Sequence, residues 1–279
     1  MKSHKPTILI TNDDGINSEG ITLLFEALKD VGDVWVAAPE REQSAISHAI
    51  SIMSPLAARS LDSRRFAVTG TPADCVWLGI RKLLPKKPDW VVSGINAGAN
   101  LGSDVLYSGT VQAAAEGMIM GANGIAVSAE YRKGGCNFST AAEFTRCLLS
   151  AFIGLKFSQP VLVNVNCPFT NQTEPAPRRF RITRLGQRRY ITGVQTLKDA
   201  RSREYYWAEG RIEGYLDIPN SDCEAVDKGY ISLTPLQLDM TGYDFMEELN
   251  EKVKVAGYEG EPYRGDATPV PPHNYNGVR

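Results

Sequence analysis

No stretch of this chain approaches the roughly 20 consecutive apolar residues that a membrane-spanning helix needs. The N-terminus, Met1 to Pro6, is basic, but the apolar run behind it is too short for a signal-peptide core and is interrupted at Asn12-Asp13-Asp14. Charge of one sign is lacking too. The formal net charge is -2, which gives no electrostatic footprint for a nucleic-acid polymer. Cysteine is sparse: five residues, widely spaced, with no Cys-x-x-Cys pair. That argues against a disulfide framework and a thiolate zinc site, and predicts reduced thiols in a cytoplasmic protein. Histidine is rarer still, with three in all and only His48 in the body of the chain. No internal repeat is found.

What is present is alternation. At 279 residues and 43% hydrophobic content the chain can bury a large core. Thr7 to Ile10 reads as a buried strand, and Ile21, Leu24, Phe25 and Leu28 then fall on one helical face. Val34 to Ala38 is a second strand and Phe66 to Gly70 a third, with Ala45 to Ser54 giving no clear signal. Thr71-Pro72 opens a helix as cap and first residue, with Val76, Ile80, Leu83 and Leu84 as its apolar face. Trp90 to Ser93 is another strand. It is followed by a Gly- and Asn-rich loop through Asp104, and then by a small-residue helix faced by Val111, Ala114, Ala115 and Met118. Ile125 to Val127, a helix over Thr140 to Phe152, and Val161 to Val165 continue the pattern. Such alternation implies right-handed crossovers and a mostly parallel sheet with helices on both faces, an α/β fold.

The pattern changes near residue 170, at the prolines Pro168, Pro175 and Pro177. Arg178 to Arg184 suggests an edge strand. Tyr190 to Asp217 carries Tyr205-Tyr206-Trp207 and few helix signals, as a long hairpin arm would. Tyr230 to Thr234 is a strand, a helix starts near Tyr243, and a proline-rich tail follows from Gly260. One α/β domain is expected, with its core over about 7–185, a projecting arm over about 186–223, and a C-terminal strand, helix and tail over about 224–279. The exposed aromatics of the arm predict packing on another subunit.

In such sheets ligands bind beyond the carboxyl ends of the strands. Three polar loops fall there. The first, Asn12-Asp13-Asp14-Gly15, places two carboxylates side by side, and their repulsion calls for a positive charge. An oxygen-ligated divalent cation is the simplest source, with Asp13, Asp14, the Ser44 hydroxyl and the Asn100 amide oxygen as candidate ligands. Asn96 and the Ser108-Gly109-Thr110 turn, at a helix N-terminus, are candidate phosphate contacts. Each residue also has a plainer reading. The Asp pair can be a capped polar turn, Ser44 a solvated loop serine, Asn96 and Asn100 left-handed turn residues, and Ser108 and Thr110 helix caps. His48 fits either an acid near a leaving group or a structural histidine.

Together these motifs closely resemble the SurE family, stationary-phase survival proteins that act as metal-dependent nucleotidases and phosphatases. The resemblance rests on Ile10 to Gly15, Ala38 to Ser44, Gly70 to Val76, and Ser93 to Asn100 with Tyr107 to Thr110, in that order. It continues more weakly through Val163 to Pro168 and Gly229 to Leu236. It implies a Rossmann-like core and hydrolysis of nucleoside monophosphates to nucleoside and phosphate, with short polyphosphate as a further substrate. It also implies one divalent ion per subunit, Mg²⁺ or Mn²⁺, on Asp13, Asp14, Ser44 and Asn100, and phosphate contacts at Asn96, Ser108, Gly109 and Thr110. Homodimers or homotetramers formed by exchange of an arm are implied as well. The chain departs at Ser44-Ala45, where many members have Ser-Gly. A receiver-type signalling domain is the less favoured alternative, because no Asp follows the strands ending at Gly70 and Ser93. A nucleotide-binding oxidoreductase would need Gly-x-Gly-x-x-Gly after the first strand, where Asn12-Asp13-Asp14-Gly15 stands. Asp13, Asp14 and Ser108 are the expected catalytic residues. Because no base neighbours Ser108 in the sequence, a cation-polarised water is the expected nucleophile, with Asp13 or Asp14 as proton acceptor.

Overall fold

The computed structural model describes residues 5–133, 135–170, 179–255, 259 and 261. Strand β1 (Thr7–Thr11) is buried along its whole length and leads into helix α1 (Glu19–Leu28), whose first turn is capped by the Ser18 side chain. Strand β2 (Asp33–Pro39) follows, then a loop without regular structure over the stretch that gave no sequence signal. Beyond it lie β3 (Ala58–Ser60), β4 (Arg65–Val68) and α2 (Pro72–Leu78). Thr71 and Asp74 cap α2 reciprocally, as the Thr-Pro start predicts. The helix then widens into a π-helical turn over Gly79–Leu83.

Strand β5 (Trp90–Ala97) is longer than its apolar run suggests. Its ladder with β6 (Asn123–Ala129) breaks after Ser93 and resumes at Asn96, so the glycine-rich segment partly belongs to the sheet. Helix α3 (Gly109–Ile119) lies between these two strands in the chain. Helix α4 (Phe138–Phe152) and strand β7 (Leu162–Cys167) come next, followed by the short edge strand β8 (Phe180–Ile182). The antiparallel arm is β9 (Arg188–Lys198) and β10 (Glu204–Tyr215). Helix α5 (Asp222–Asp227), strand β11 (Ile231–Leu236) and helix α6 (Met246–Val255) complete the described fold. The prolines at 175 and 177 lie outside the described residues, as does the tail from Gly260 apart from Glu261.

Among the described residues nine strands form one sheet in the order β3-β4-β2-β1-β5-β6-β7-β11-β8, with antiparallel pairing there only at β3-β4 and β7-β11. Alternation along β1 sends Ile8 and Ile10 to one face, with Leu24 and Leu28 of α1 and Leu149 of α4. Leu9 goes to the other, with Cys75 and Val76 of α2 and Ala113 of α3. Both faces are therefore covered by helices, as the near-continuous apolar strands require. Val111, Ala114, Ala115 and Met118 all face the sheet. Among the described residues no helix is long and apolar enough to cross a membrane.

Helix α1 can lie close to β5 because residue 20 has no side chain. A Cβ on Gly20 would sit 2.1 Å from the Ile95 carbonyl oxygen. Backbone cannot retreat as a flexible side chain can, so Gly20→Ala should cost about 3 kcal/mol, at the upper end of overpacking penalties. Gly210→Ala, where nothing lies within 4 Å, should change stability by less than about 0.5 kcal/mol. Urea unfolding of the two variants checks the contrast.

Candidate active site

The direction of the connections places the site. From β1 the chain builds outward through β2 and β4 on one side, then returns to lay β5, β6 and β7 on the other. The carboxyl ends of β1 and β5 therefore flank the topological switch point, where open α/β sheets bind ligands. A cavity of about 650 Å³ opens there, within the usual size range of small-molecule sites. Its lining includes Asp13, Asp14, Ser44, Asn96, Asn100 and Ser108. Six of the eight predicted site residues thus meet in one crevice, though they come from loops up to 95 positions apart (Asp13 to Ser108).

The turn after β1 is held from within. Asn12 Nδ2 donates to the Gly15 carbonyl at 3.0 Å and to Ser18 Oγ at 2.8 Å. The loop after β2 is tied to the same turn by the Gln43 N–H, which donates to the Asp13 carbonyl at 2.8 Å. That bond brings Ser44 to the cavity, where its hydroxyl donates to Glu42 Oε1 at 2.7 Å. Helix α3 comes in from the other side. Gly109 packs against Asp13, and a Cβ there would lie 2.9 Å from Asp13 Cβ.

Gly109 and Thr110 do not line the cavity. Thr110 is buried, its hydroxyl donates to Asp13 Oδ1, and its backbone N–H also serves that carboxylate. Both residues pack on or bond to Asp13. Ser108 does line the cavity. It caps α3, with Oγ accepting from the Val111 N–H at 3.1 Å, which leaves the hydroxyl proton to donate outward.

Asn100 is clamped by three residues that sequence reasoning left without a role. Its N–H donates to Asn166 Oδ1 at 2.7 Å, its carbonyl accepts from Asn164 and Asn166, and its Nδ2 donates to Ser128 Oγ at 2.8 Å. Oδ1 is the atom left over, with no hydrogen-bond donor among the described residues. The only local sign of this clamp was a pair of asparagines at i and i+2 on a buried strand, which must find polar partners. Glu42, Asp104, Tyr107 and Tyr190 also line the cavity and were not anticipated. His48 does not line it: Nε2 lies 3.0 Å from the buried Glu116 carboxylate.

Burial pushes the Asp13 carboxyl up to about 6, against the pull of the Thr110 hydrogen bond and with a further push from Asp14. Asp14 is also raised, by burial first, although it accepts the Ala97 N–H at 3.3 Å; the charge of Glu42 adds to the shift. Among the described residues no Lys, Arg or His lines the cavity. Among the described residues no group of three or more His, Cys, Asp or Glu side chains forms a metal cluster. Two carboxylates with two neutral oxygens, from Ser44 and the unpartnered Asn100 Oδ1, still form a hard-cation donor set that water can complete. The residues fit a divalent ion.

A raised carboxylate opposes folding once it must ionise. Below pH 3.8 Asp13 is protonated in both states; between 3.8 and about 6 the folded state holds the extra proton, so stability falls as pH rises through that window. The full cost, up to roughly 3 kcal/mol, is present above pH 6. In EDTA, Asp13→Asn should therefore exceed the parent in stability at pH 7.5 and match it near pH 4. Urea unfolding at both pH values measures the difference, and added Mg²⁺ should shrink it only by stabilising the parent.

The family model described as "Survival protein SurE" matches residues 8–192. A protein of Moorella thermoacetica named "5'-nucleotidase SurE" is 47% identical over 247 residues, covering 87% of this chain and 94% of that one. A Geotalea uraniireducens protein of the same name is 45% identical over 242 residues, covering 87% and 97%. The crystal structure of the SurE protein from Aquifex aeolicus superposes with a TM-score of 0.78 at 40% identity, covering 89% of this chain and all of that one. On its sequence, its fold and the placement of its loops, the chain belongs to the SurE family.

Proposed function

We propose that this protein is a metal-dependent 5'-nucleotidase, hydrolysing nucleoside monophosphates to nucleoside and phosphate. The observation that carries the reading is an acidic cavity at the switch point that is lined by no basic side chain among the described residues and yet includes the Ser108 cap of α3. A phosphate dianion cannot enter beside Asp13 and Asp14 unless a cation enters with it. Short polyphosphate presents the same terminal phosphoryl group and is a second candidate substrate. The proteins named 5'-nucleotidase that resemble this chain support the choice of nucleotides. Neither a phospho-accepting Asp at the end of β4 or β5 nor a dinucleotide glycine pattern after β1 supports the alternative readings.

Asp13, Asp14, Ser44 and Asn100 are the residues that would hold one divalent cation, Mg²⁺ or Mn²⁺. When bound, such an ion neutralises the acidic end of the cavity and acts as a Lewis acid toward a phosphoryl oxygen. Ser108 donates its free hydroxyl proton to a phosphoryl oxygen, aided by the partial positive charge of the α3 N-terminus. Asn96, braced by its own donation to the Gly98 carbonyl at 2.7 Å, presents its remaining amide proton to the same group. Asp13 or Asp14 takes the proton from the attacking water. Gly109 and Thr110 act one step back, by fixing Asp13. The five cysteines are unpaired, which supports a reducing, cytoplasmic setting.

The arm supports assembly with further copies. Tyr206 and Trp207 are 68% and 69% exposed, and a two-stranded hairpin is marginal by itself in water. Phe245, Leu249 and Val253, at helical spacing at the C-terminal end, are exposed too. A homodimer or homotetramer with exchanged arms would cover these surfaces.

Phosphate release from nucleoside monophosphates tests the activity: it should require Mg²⁺ or Mn²⁺ and stop in EDTA. Asp14→Asn should abolish turnover without unfolding the protein, and full activity in that variant would overturn the assignment. Ser108→Ala should slow kcat about a hundredfold to a thousandfold, the scale of one lost oxyanion donor. Deleting residues 192–212 should yield monomers in analytical ultracentrifugation, and an unchanged oligomer would contradict the arm's role.

A further inference from the structure

The residues around the cavity are of two kinds. Asp13, Asp14 and Ser108 belong to the acidic turn and the helix cap; Asp104, Tyr107 and Tyr190 add a further carboxylate and two aromatic rings to the same lining. Tyr190 belongs to β9, the first strand of the arm, and reaches the site from 86 residues beyond Asp104. Its hydroxyl donates into the Asp104 carboxylate, 2.7 Å from Oδ2. Arg188 Nη1 donates to the same oxygen at 2.7 Å, and both members of that ion pair are largely buried. The negative charge of Asp104 is thus compensated from within.

The base of the arm is tied to the site loop a second time. The buried Asp222 carboxylate accepts the Gly102 N–H at 2.8 Å and the Gly186 N–H at 2.7 Å. Tyr190 is therefore held by its hydroxyl on the strand base, while the residue stays 40% exposed and lines the cavity. Tyr107, one residue before Ser108, is 66% exposed and lines the same cavity. The ester substituent of a phosphate held at Ser108 would share the cavity with these two rings. An anchored, partly exposed tyrosine ring beside a charge-compensated carboxylate suits a flat heteroaromatic group.

We propose, resting on the nucleotidase reading, that Tyr190 is a specificity-determining residue, the wall of a subsite for the nucleobase of the leaving nucleoside, and that Asp104 and Arg188 are its positioning residues. The arm thereby completes the substrate site as well as offering an exposed surface.

The test compares a nucleoside monophosphate with ribose 5-phosphate, which carries the same ester but no base. With the Mg²⁺-loaded full-length protein, Tyr190→Ala should raise KM for the nucleotide about tenfold, the scale of one lost stacking contact. Its kcat, and the KM for ribose 5-phosphate, should stay within about twofold, because only uniform binding to the base is lost. Tyr190→Leu, which keeps apolar bulk at the position, should show the same split if the alanine variant is poorly folded. Asp104→Asn should raise the nucleotide KM and spare ribose 5-phosphate. Equal losses on both substrates, or no loss on either, would overturn the subsite. A parent protein that releases phosphate from ribose 5-phosphate but not from nucleotides would overturn the nucleotidase reading, and the subsite with it.

Discussion

Asp13 is an ionisable side chain that the fold buries in a cavity with no Lys, Arg or His among its described lining residues. Burial drives its carboxyl up to about 6, and the neighbouring Asp14 pushes in the same direction. The protein offsets this only partly, with the Thr110 hydroxyl and the partial charge at the start of α3. Much of the surrounding structure follows from that unfinished neutralisation. Gly109 lacks a side chain because the helix must approach Asp13 closely, and the loop after β2 hangs from the Asp13 carbonyl through Gln43. A helix terminus carries about half a charge, which cannot balance two carboxylates. The deficit is what a divalent ion would supply.

The identity of the remaining candidate ligands follows from the substrate. Glu42 lines the cavity beside Asp13 and Asp14, so its acidic side already carries three carboxylates. A further carboxylate at Asn100 would add to the repulsion that a phosphate dianion meets, whereas an amide oxygen would ligate without charge. An amide must also be oriented, since its nitrogen end would repel a cation. The donation from Asn100 Nδ2 to Ser128, with the backbone clamp from Asn164 and Asn166, settles that orientation. Three buried polar side chains thus fix one asparagine so that a single oxygen is left over.

The layered fold was legible in the chain because it depends on local periodicity. Alternation in β1, the spacing of apolar residues in α1 and α3, and the Thr71 cap each appear within a few residues. The crevice was legible because three polar loops, each with a plainer reading by itself, fall at the carboxyl ends of neighbouring strands. What stayed hidden depends on contacts between distant segments. Thr110 reads in the sequence as a phosphate contact or a helix cap, and its bond to Asp13, 97 residues away, is visible only in the fold. Tyr190 reads as one more arm aromatic until the arm's base is seen to return to Asp104. Ala45 shows the same limit at the scale of one residue. It stands where many relatives of this family have glycine, and its φ is 56°, in the region that costs an L-residue roughly 1–2 kcal/mol. The Gln43 and Ser47 backbone bonds to Asp13 and Tyr107 impose that conformation on either side, and neither is visible in the local sequence.

One strand, β9, carries two opposite environments, and the contrast bears on how the arm works. At its start, Arg188 and Tyr190 are gripped by Asp104, and Asp222 locks the backbone just before them. Further along, Val194 is exposed, as are Tyr206 and Trp207 across the hairpin. Hydrogen bonds to buried or half-buried carboxylates are directional, so the base can keep one geometry within a single chain. The distal half has only its own ladder, and apolar surface left in water gives it no restoring force. The two carboxylates therefore anchor the arm from either side of its first residues. Tyr190 is held at the cavity by its own bond to Asp104, with Gly186 tied to Asp222 before it and the exposed stretch beginning only at Val194 after it.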